Sequence, residues 1–262
     1  MKRILITGAA GGVTTMVRPI LREHYLLRLS DVQPVPDPVA GEEVVLAALN
    51  DFDAVRAAVK GVDGIIHLGA YSREISWPTV LESNIVGAYN VFEAAKLEGV
   101  KRIVFASSNH AMGFYPRSQT IPVNVTVRPD GRYGLSKAFG EALGSLYSDK
   151  YGAEVLSIRI GHVGLKPANV RDLSIWISPR DLSQLFRIGL EHPDIRNDIV
   201  YGASDNKRRW WDNANATRLG YKPVDKAEDY AAEVEAVDSG ISGDSRADLN
   251  QGGVFCTAES FD

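Results

Sequence analysis

The sequence lacks the features that would form disulfide bonds, bind metal ions or attract polyanions. Its single cysteine, Cys256, excludes an intrachain disulfide. Five scattered histidines show no paired metal-ligand spacing, and we expect no bound metal. Basic residues (29) do not outnumber acidic ones (33), so a net charge of −4 leaves no basic field for nucleic acid or an anionic membrane. A small-molecule ligand is expected.

Long hydrophobic runs are also missing. No apolar stretch approaches the length that crosses a bilayer, and the first three residues lead directly into a strand pattern without a signal-peptide cleavage region. We therefore expect no membrane contact and a cytoplasmic, reducing location. With 262 residues, 45% of them hydrophobic, the chain is expected to form a single domain over residues 1–262.

Short apolar runs alternate with helical patterns over the first 160 residues. The predicted strands are Arg3–Thr7, Leu26–Ser30, Glu43–Ala47, Gly64–Leu68, Arg102–Ala106 and Val155–Ile160. The predicted helices cover residues 13–23, 51–60, 79–99 and 133–151. This alternation is typical of an α/β fold, a Rossmann-like doubly wound parallel sheet with helices on both faces, whose ligands bind beyond the carboxyl ends of the strands.

The alternation is lost after residue 160. We interpret residues 1–160 as a dinucleotide-binding core and residues 161–262 as a small C-terminal extension on the substrate side. The tail from Ser239 is rich in glycine and serine, which leaves its order open, although residues 252–255 are suited to dock as a short extended piece.

A glycine-rich turn, TGAAGGVT at residues 7–14, links the first strand to the first helix. Gly8 and Gly11 would let backbone amides approach a pyrophosphate at the helix N-terminus, although the same motif is also consistent with an ordinary βα turn. Asp31 ends the second strand, twenty residues beyond Gly11, where an acid accepts hydrogen bonds from the adenosine ribose and repels a 2′-phosphate. Since no basic residue follows in the next ten, NAD is favoured over NADP; as an alternative, Asp31 only opens a turn.

The stretch RYGLSK places Tyr133 and Lys137 four residues apart on one helix face. A phenol is a poor base at neutral pH, but a nearby ammonium and a positively charged nicotinamide favour its ionised form. Ser108, in FASSNH at the end of the fifth strand, would hold the reacting oxygen. A surface tyrosine with a solvated lysine, and a serine that caps the strand, are the alternatives.

Taken together, TGAAG, Asp31, HLGA at 67–70, Asn84, SSN at 107–109 and YGLSK at 133–137 resemble the extended short-chain dehydrogenase family, also described as NAD-dependent epimerases and dehydratases. The resemblance covers about the first 160 residues and implies a catalytic set of Ser108, Tyr133 and Lys137. It also implies a set of cofactor contacts, which consists of Gly8, Gly11, Gly12, Val13, Asp31, Leu49, Leu68, Gly69, Ala70, Asn84, Ser107, Tyr133, Lys137 and Ile160. Thr14, where a third glycine is usual, and Ala48, where an aspartate often contacts adenine, depart from the pattern.

A narrower resemblance, to uronate dehydrogenases, rests on RIVFASSNHAMGFYP, RPDGRYGLSK and VRDLSIW, and on WWDN, LGYKP and NQGG in the extension. It implies NAD-dependent oxidation of a hexuronate such as glucuronate or galacturonate at C1, giving an aldaric acid lactone. Separately, the apolar positions Phe139, Leu143, Leu146 and Tyr147 of the catalytic helix favour a homo-oligomer, although the same face could equally be buried within one chain. The implied substrate contacts are Ser72, Ser108, Asn109, His110, Tyr133, His162 and Arg171. His162 departs from the small serine usual there, which puts the preferred hexuronate in question.

Several alternatives stay open at this point. Arg171 suits a carboxylate through a bidentate contact, but a solvated arginine paired with Asp172 is equally consistent with the sequence. His110 and Ser72 are also consistent with turn capping or packing. At the level of function, the rivals are a nucleotide-sugar epimerase or dehydratase of the same family and a non-catalytic NAD-sensing protein.

Overall fold

The computed structural model describes residues 1–258. Its centre is a seven-stranded sheet. The strands are β1 (Arg3–Thr7), β2 (Leu26–Asp31), β3 (Glu43–Leu46), β4 (Gly64–His67), β5 (Arg102–Ser108), β6 (Glu154–Ile160) and β9 (Asn197–Gly202). They lie in the order β3-β2-β1-β4-β5-β6-β9, with every neighbouring pair parallel. The order reverses between β1 and β4, which makes the carboxyl ends of these two strands the switch point of a doubly wound sheet. The expected fold class is confirmed.

Helices cover both faces of this sheet. The helices are α1 (Gly12–Leu21), α2 (Phe52–Val59), α3 (Trp77–Val80), α4 (Gly87–Leu97), α5 (Arg132–Tyr151), α6 (Asp172–Ile175), α7 (Pro179–Glu191), α8 (Ala214–Arg218), α9 (Ala231–Glu235) and α10 (Ser245–Leu249). No helix within residues 1–258 is long and apolar enough to span a bilayer.

Alternate strand residues build two cores. In β1, Ile4 and Ile6 join the core beneath α1 and α7, while Leu5 faces the core beneath α2, α4 and α5. Strands buried on both faces need apolar residues at successive positions, which explains the continuous apolar runs of the sequence. Helix α5 ends at Gly152, whose φ of +69° closes it in the left-handed conformation.

The segment predicted as one helix over 79–99 consists of three pieces. Helix α3 leads into a π-helical turn, Leu81–Val86, which continues as α4. A π turn carries one extra residue per turn and often marks a functional position. The hydrophobic periodicity of the sequence does not reveal the π turn, because the apolar residues before and after it both face the protein interior.

The C-terminal part adds a two-stranded parallel sheet, formed by β7 (His162–Val163) and β8 (Trp176–Ile177). It also includes the 3-10 turns Ala227–Tyr230 and Gly253–Cys256, and a further 3-10 turn, Asn109–Met112, follows β5 in the core. The piece expected to dock in extended form at 252–255 therefore docks as a helical turn. The turn Asn109–Met112 packs against the strands β5 and β6.

Candidate active site

A cleft of about 720 Å³ opens at the carboxyl ends of the central strands. Its floor is the glycine turn after β1 and the loop after β4, which meet without side chains between them. Gly8 has a φ of +72°, and a Cβ placed on it would lie 2.7 Å from the backbone nitrogen of Gly69. Any other residue at position 8 would separate the two loops and fill the floor.

The first turn of α1 faces this cleft without a side-chain cap. Gly11 precedes the helix with an extended backbone, and a Cβ on Gly12 would meet only open space. Uncapped amides at a helix N-terminus are a site for an anionic group such as a pyrophosphate. Thr14, which stands where a third glycine is usual, is buried and donates from its hydroxyl to the carbonyl of Gly8 at 2.9 Å, so it braces the turn.

Asp31, at the end of β2, lines the cleft beside this turn. Its Oδ2 accepts from the Ala10 amide at 2.9 Å, and its Oδ1 accepts from the Gln33 amide at 3.0 Å. The carboxylate therefore supports both loops. A carboxylate oxygen accepts more than one hydrogen bond, so Asp31 retains acceptor capacity for ribose hydroxyls.

The predicted catalytic residues come together on the wall of the cleft. Tyr133 lies in the first turn of α5, and burial raises its pKa to about 12 while the Ser108 hydroxyl lowers it and the charge of Asp130 raises it. Ser108 also caps the following 3-10 turn by accepting from the His110 amide at 3.2 Å, which is the alternative role considered above. Burial lowers the pKa of Lys137 to about 7, and its Nζ lies 5.5 Å from the centroid of the Tyr133 ring.

Asn84 lies in the π turn and does not line the cleft. Its Oδ1 accepts from the Tyr71 amide at 2.9 Å, and its Nδ2 donates to the Tyr71 carbonyl and to Oγ of Ser136. Its amide thus ties the loop after β4 to the helix that carries Tyr133. Ser107, expected at the cofactor, lines the cleft but donates its hydroxyl to Glu141 at 2.7 Å.

Arg171 lines the same cleft as Ser108 and Tyr133. Its Nε and Nη2 donate to the carbonyl of Gln251 at 3.0 and 2.6 Å. With the Asn109 amide oriented so that Nδ2 donates to Ile160, Oδ1 of Asn109 accepts from Nη2 at 3.0 Å. Nη1 has no protein partner within residues 1–258, and burial lowers the pKa of Arg171 to about 10. The guanidinium is therefore fixed by hydrogen bonds to Gln251 and Asn109, and Arg171 is not the solvated partner of Asp172 that the alternative interpretation describes.

The remaining predicted sugar contacts also belong to the lining of the cleft. Ser72, His110 and His162 line the cleft. The His162 side chain is 43% exposed, and its Nε2 lies 3.6 Å from Oδ2 of Asp172. His110 is turned the other way, with Nδ1 2.6 Å from Oδ2 of the buried Asp130.

Comparisons with known proteins agree with this geometry. A family model described as the NAD dependent epimerase/dehydratase family matches residues 4–172. The chain belongs to this family. A uronate dehydrogenase from Pseudomonas putida is 47% identical over 99% of this chain and 97% of its own length.

Two solved structures share the fold over nearly the whole chain. A glucuronic acid dehydrogenase from Chromohalobacter salexigens gives a TM-score of 0.95 at 45% identity, covering 98% of this chain and 97% of its own. A mutant uronate dehydrogenase from Agrobacterium tumefaciens, in which a tyrosine is replaced by alanine, is described as complexed with NAD. It gives a TM-score of 0.96 at 41% identity, covering all of this chain and 99% of its own. The resemblance stated from the sequence is confirmed.

All predicted site residues except Asn84 line the cleft of this family member. Among the residues that sequence reasoning missed is Phe255, which follows the NQGG motif, lines the cleft and stacks on His110 with ring centroids 3.8 Å apart. The motif was visible and residues 252–255 were expected to dock, but the glycine-rich composition left the order of the tail open and did not place the Phe255 ring at the cleft. The docking depends on long-range contacts, since the Gln251 and Gly252 amides donate to the carbonyls of Tyr115 and Gly113.

Proposed function

We propose that the protein is an NAD-dependent dehydrogenase that oxidises a hexuronate, glucuronate or galacturonate, at C1 to the aldaric acid lactone. The observation that carries this proposal is the part-buried guanidinium of Arg171 in the same cleft as Ser108 and Tyr133, with Nη1 open to a ligand. A carboxylate at one end of a sugar is the chemistry that such a group selects. The similarity to uronate dehydrogenases supports the same substrate class.

The glycine turn, the uncapped start of α1 and Asp31 would hold the pyrophosphate and adenosine of NAD, with Leu49, Leu68, Gly69, Ala70 and Ile160 lining the rest of that arm. The carboxylate of Asp31 would repel a 2′-phosphate, which favours NAD over NADP. NAD supplies the acceptor for the hydride from C1 and a positive charge on its nicotinamide ring.

Tyr133 would accept the proton of the C1 hydroxyl, and Ser108 would hold that oxygen. Because burial raises the Tyr133 pKa to about 12, the phenolate requires positive charge nearby. The nicotinamide ring would supply such a charge, and Lys137, buried on the same helix face, would add a second one in its protonated form and would bind the nicotinamide ribose. Proton removal and the orientation of the oxygen are the two functions left to these side chains.

Arg171 would bind the substrate carboxylate, and this contact would set the distance from the carboxylate to C1. Asn109 fixes the guanidinium from one side and Ser72, His110 and His162 would contact the sugar hydroxyls. Recognition of a fixed anion at one end and oxidation at the other explains why neutral sugars should be poor substrates.

We further propose that the enzyme acts in the cytoplasm as a homo-oligomer. Of the apolar positions Phe139, Leu143, Leu146 and Tyr147 on α5, Leu143 and Tyr147 are buried within the chain, whereas Leu146 is exposed. The exposed side chains of Leu135 and Leu146 on α5 and of Tyr89 on α4 would lie in the contact between subunits. Sedimentation of the wild type and of Leu146→Asp tests this, since a monomer in both would contradict it.

NADH formation is the direct test of the activity. The purified protein is given NAD with glucuronate, galacturonate, glucose or galactose, and Tyr133→Phe is the control. We expect turnover of the uronates only, abolished in the variant. Redox-neutral conversion of a nucleotide sugar would support an epimerase instead, and NAD binding without turnover by folded protein would support a sensor.

A further inference from the structure

Asp130 lies behind the cleft wall, with its carboxylate fully buried. Its Oδ2 is 2.6 Å from Nδ1 of His110, while Oδ1 has no hydrogen-bond partner within residues 1–258. A buried carboxylate with one oxygen unused destabilises the fold. Packing therefore does not explain why an acid stands there.

Two glycines from distant segments make room for this carboxylate. A Cβ on Gly113, after the 3-10 turn, would lie 1.8 Å from Oδ2 of Asp130, and one on Gly252, in the C-terminal segment, would lie 2.0 Å from it. A Cβ on Gly134, which follows Tyr133 in α5, would meet the His110 carbonyl oxygen at 2.2 Å and Oδ1 of Asp130 at 3.1 Å. The space for the Asp130 carboxylate is therefore provided by the core and the extension together, and the catalytic helix packs closely against the backbone of His110.

The imidazole of His110 is fixed on its other sides as well. Phe255 stacks on it with centroids 3.8 Å apart, and Tyr133 meets it edge-on at 5.8 Å. A carboxylate oxygen placed against a ring nitrogen favours the tautomer that carries its proton there, so the 2.6 Å contact favours the Nδ1–H form of His110. Nε2 is then the one ring nitrogen left for a ligand, and His110 lines the cleft.

We propose that Asp130 is a positioning residue for substrate recognition: it fixes His110 in the Nδ1–H form so that Nε2 meets a hydroxyl of the sugar beside the reacting carbon. The inference rests on the proposed uronate activity for its ligand. In this arrangement the orientation of the ring comes from Asp130 and Phe255, and the contact with substrate comes from His110 alone. The same logic applies to any ligating histidine whose second nitrogen determines its tautomer.

The test is Asp130→Asn, which keeps the shape of the side chain and removes its charge. Nitrogen-15 NMR of labelled histidine should assign the Nδ1–H tautomer to His110 in the wild type and a shift toward the Nε2–H tautomer in the variant. KM for the uronate should rise about tenfold while the Kd for NAD stays unchanged. Asp205→Asn, a half-exposed carboxylate of the extension, should change neither value.

A double variant separates positioning from stability. In the His110→Gln background, Asp130→Asn should cause no further rise in KM, whereas an additional loss of the same size would overturn the proposal. An Nε2–H tautomer in the wild type would overturn it as well. Failure of the wild type to oxidise any uronate would reject the proposed function, while the tautomer in wild type and variant would still decide whether Asp130 positions His110.

Discussion

Gly140 of the catalytic helix lies directly against the ring of Phe105 in β5. A Cβ on Gly140 would stand 2.0 Å from Cζ of Phe105. This contact sets the distance between α5 and β5, and therefore the distance between Tyr133 on the helix and Ser108 at the end of the strand. The distance between Tyr133 and Ser108 therefore depends on Gly140, which lies two helical turns from Tyr133 and does not line the cleft.

Gly140→Ala should therefore lower kcat by at least about tenfold and destabilise the protein by about 1–3 kcal/mol, because the added methyl overpacks a buried ring. Gly144→Ala, one turn further along α5, is the matched control. Its Cβ would come no closer than 3.1 Å, to Cγ1 of Val155, and should leave kcat nearly unchanged. Urea unfolding and steady-state kinetics measure both effects, and equal loss in the two variants would contradict this account.

Arg171→Met should raise KM for a uronate by at least about thirtyfold, since loss of one partner of a buried charge pair costs about 2–5 kcal/mol of binding. The Kd for NAD should not change. Arg117 provides the control, because it also anchors the C-terminal segment, through the carbonyls of Asn250 and Ala247, but does not line the cleft. A similar KM increase in Arg117→Met would show that segment docking, and not the guanidinium, holds the carboxylate.

Lys137→Met should inactivate the enzyme and stabilise its fold. Burial lowers the pKa of Lys137 from 10.5 to about 7, so the unfolded chain binds a proton there that the folded protein lacks between those values. The stability of the wild type at this site then rises with pH, by about 1.4 kcal/mol per pH unit. The excess stability of Lys137→Met should be greatest at pH 7 and below and shrink toward pH 10.5.

Unfolding curves at several pH values measure this difference, with the exposed Lys101→Met as control. An excess stability that stays constant or grows with pH would contradict the assigned shift.

Glu74→Ala should slow turnover by loosening the start of the catalytic helix. Glu74 accepts from the Arg132 amide at 3.2 Å and lies 3.4 Å from the Tyr133 amide, so it caps α5 from the loop that carries Ser72. Loss of such a cap costs about 0.5–2 kcal/mol. Asp51→Ala removes the comparable cap of α2, a contact of 3.0 Å with the Ala54 amide. We expect similar destabilisation in both variants but reduced kcat in Glu74→Ala alone; unequal stability loss with equal kcat would contradict this.

His162→Ser should change which hexuronate is preferred without removing activity. The imidazole occupies part of the sugar end of the cleft and is replaced by a smaller polar group. We expect the ratio of kcat/KM for glucuronate and galacturonate to change roughly three- to tenfold. The surface variant His24→Ser should leave the ratio unchanged, and an unchanged ratio in His162→Ser would exclude that residue as a specificity determinant.

Much of this organisation could be predicted from local pattern. The glycine turn, Asp31 and the Tyr133-Lys137 pair are set by neighbouring residues, because a βα turn and a helix face depend on short spacing alone. The order of β1 and β4 at the switch point follows from the regular alternation of strands and helices.

Other features depended on contacts distant in sequence. Phe255 reaches the cleft because Gln251 and Gly252 bind the segment at residues 113–119. Asn84 does not line the cleft because it lies in a π turn and its side chain contacts Tyr71. The roles of Asp130 and Glu74 arise from partners 20 and 58 residues away. Spacing within one element carries no signal for such contacts.

Hydride transfer from C1 is the central claim, and isotope transfer tests it most directly. The wild-type protein is given NAD and glucuronate deuterated at C1, and the nicotinamide product is analysed by mass spectrometry and proton NMR. We predict that the deuterium appears at C4 of the reduced nicotinamide and that the sugar product is the lactone without that deuterium. Unlabelled NADH, or deuterium retained in the sugar, would contradict oxidation at C1.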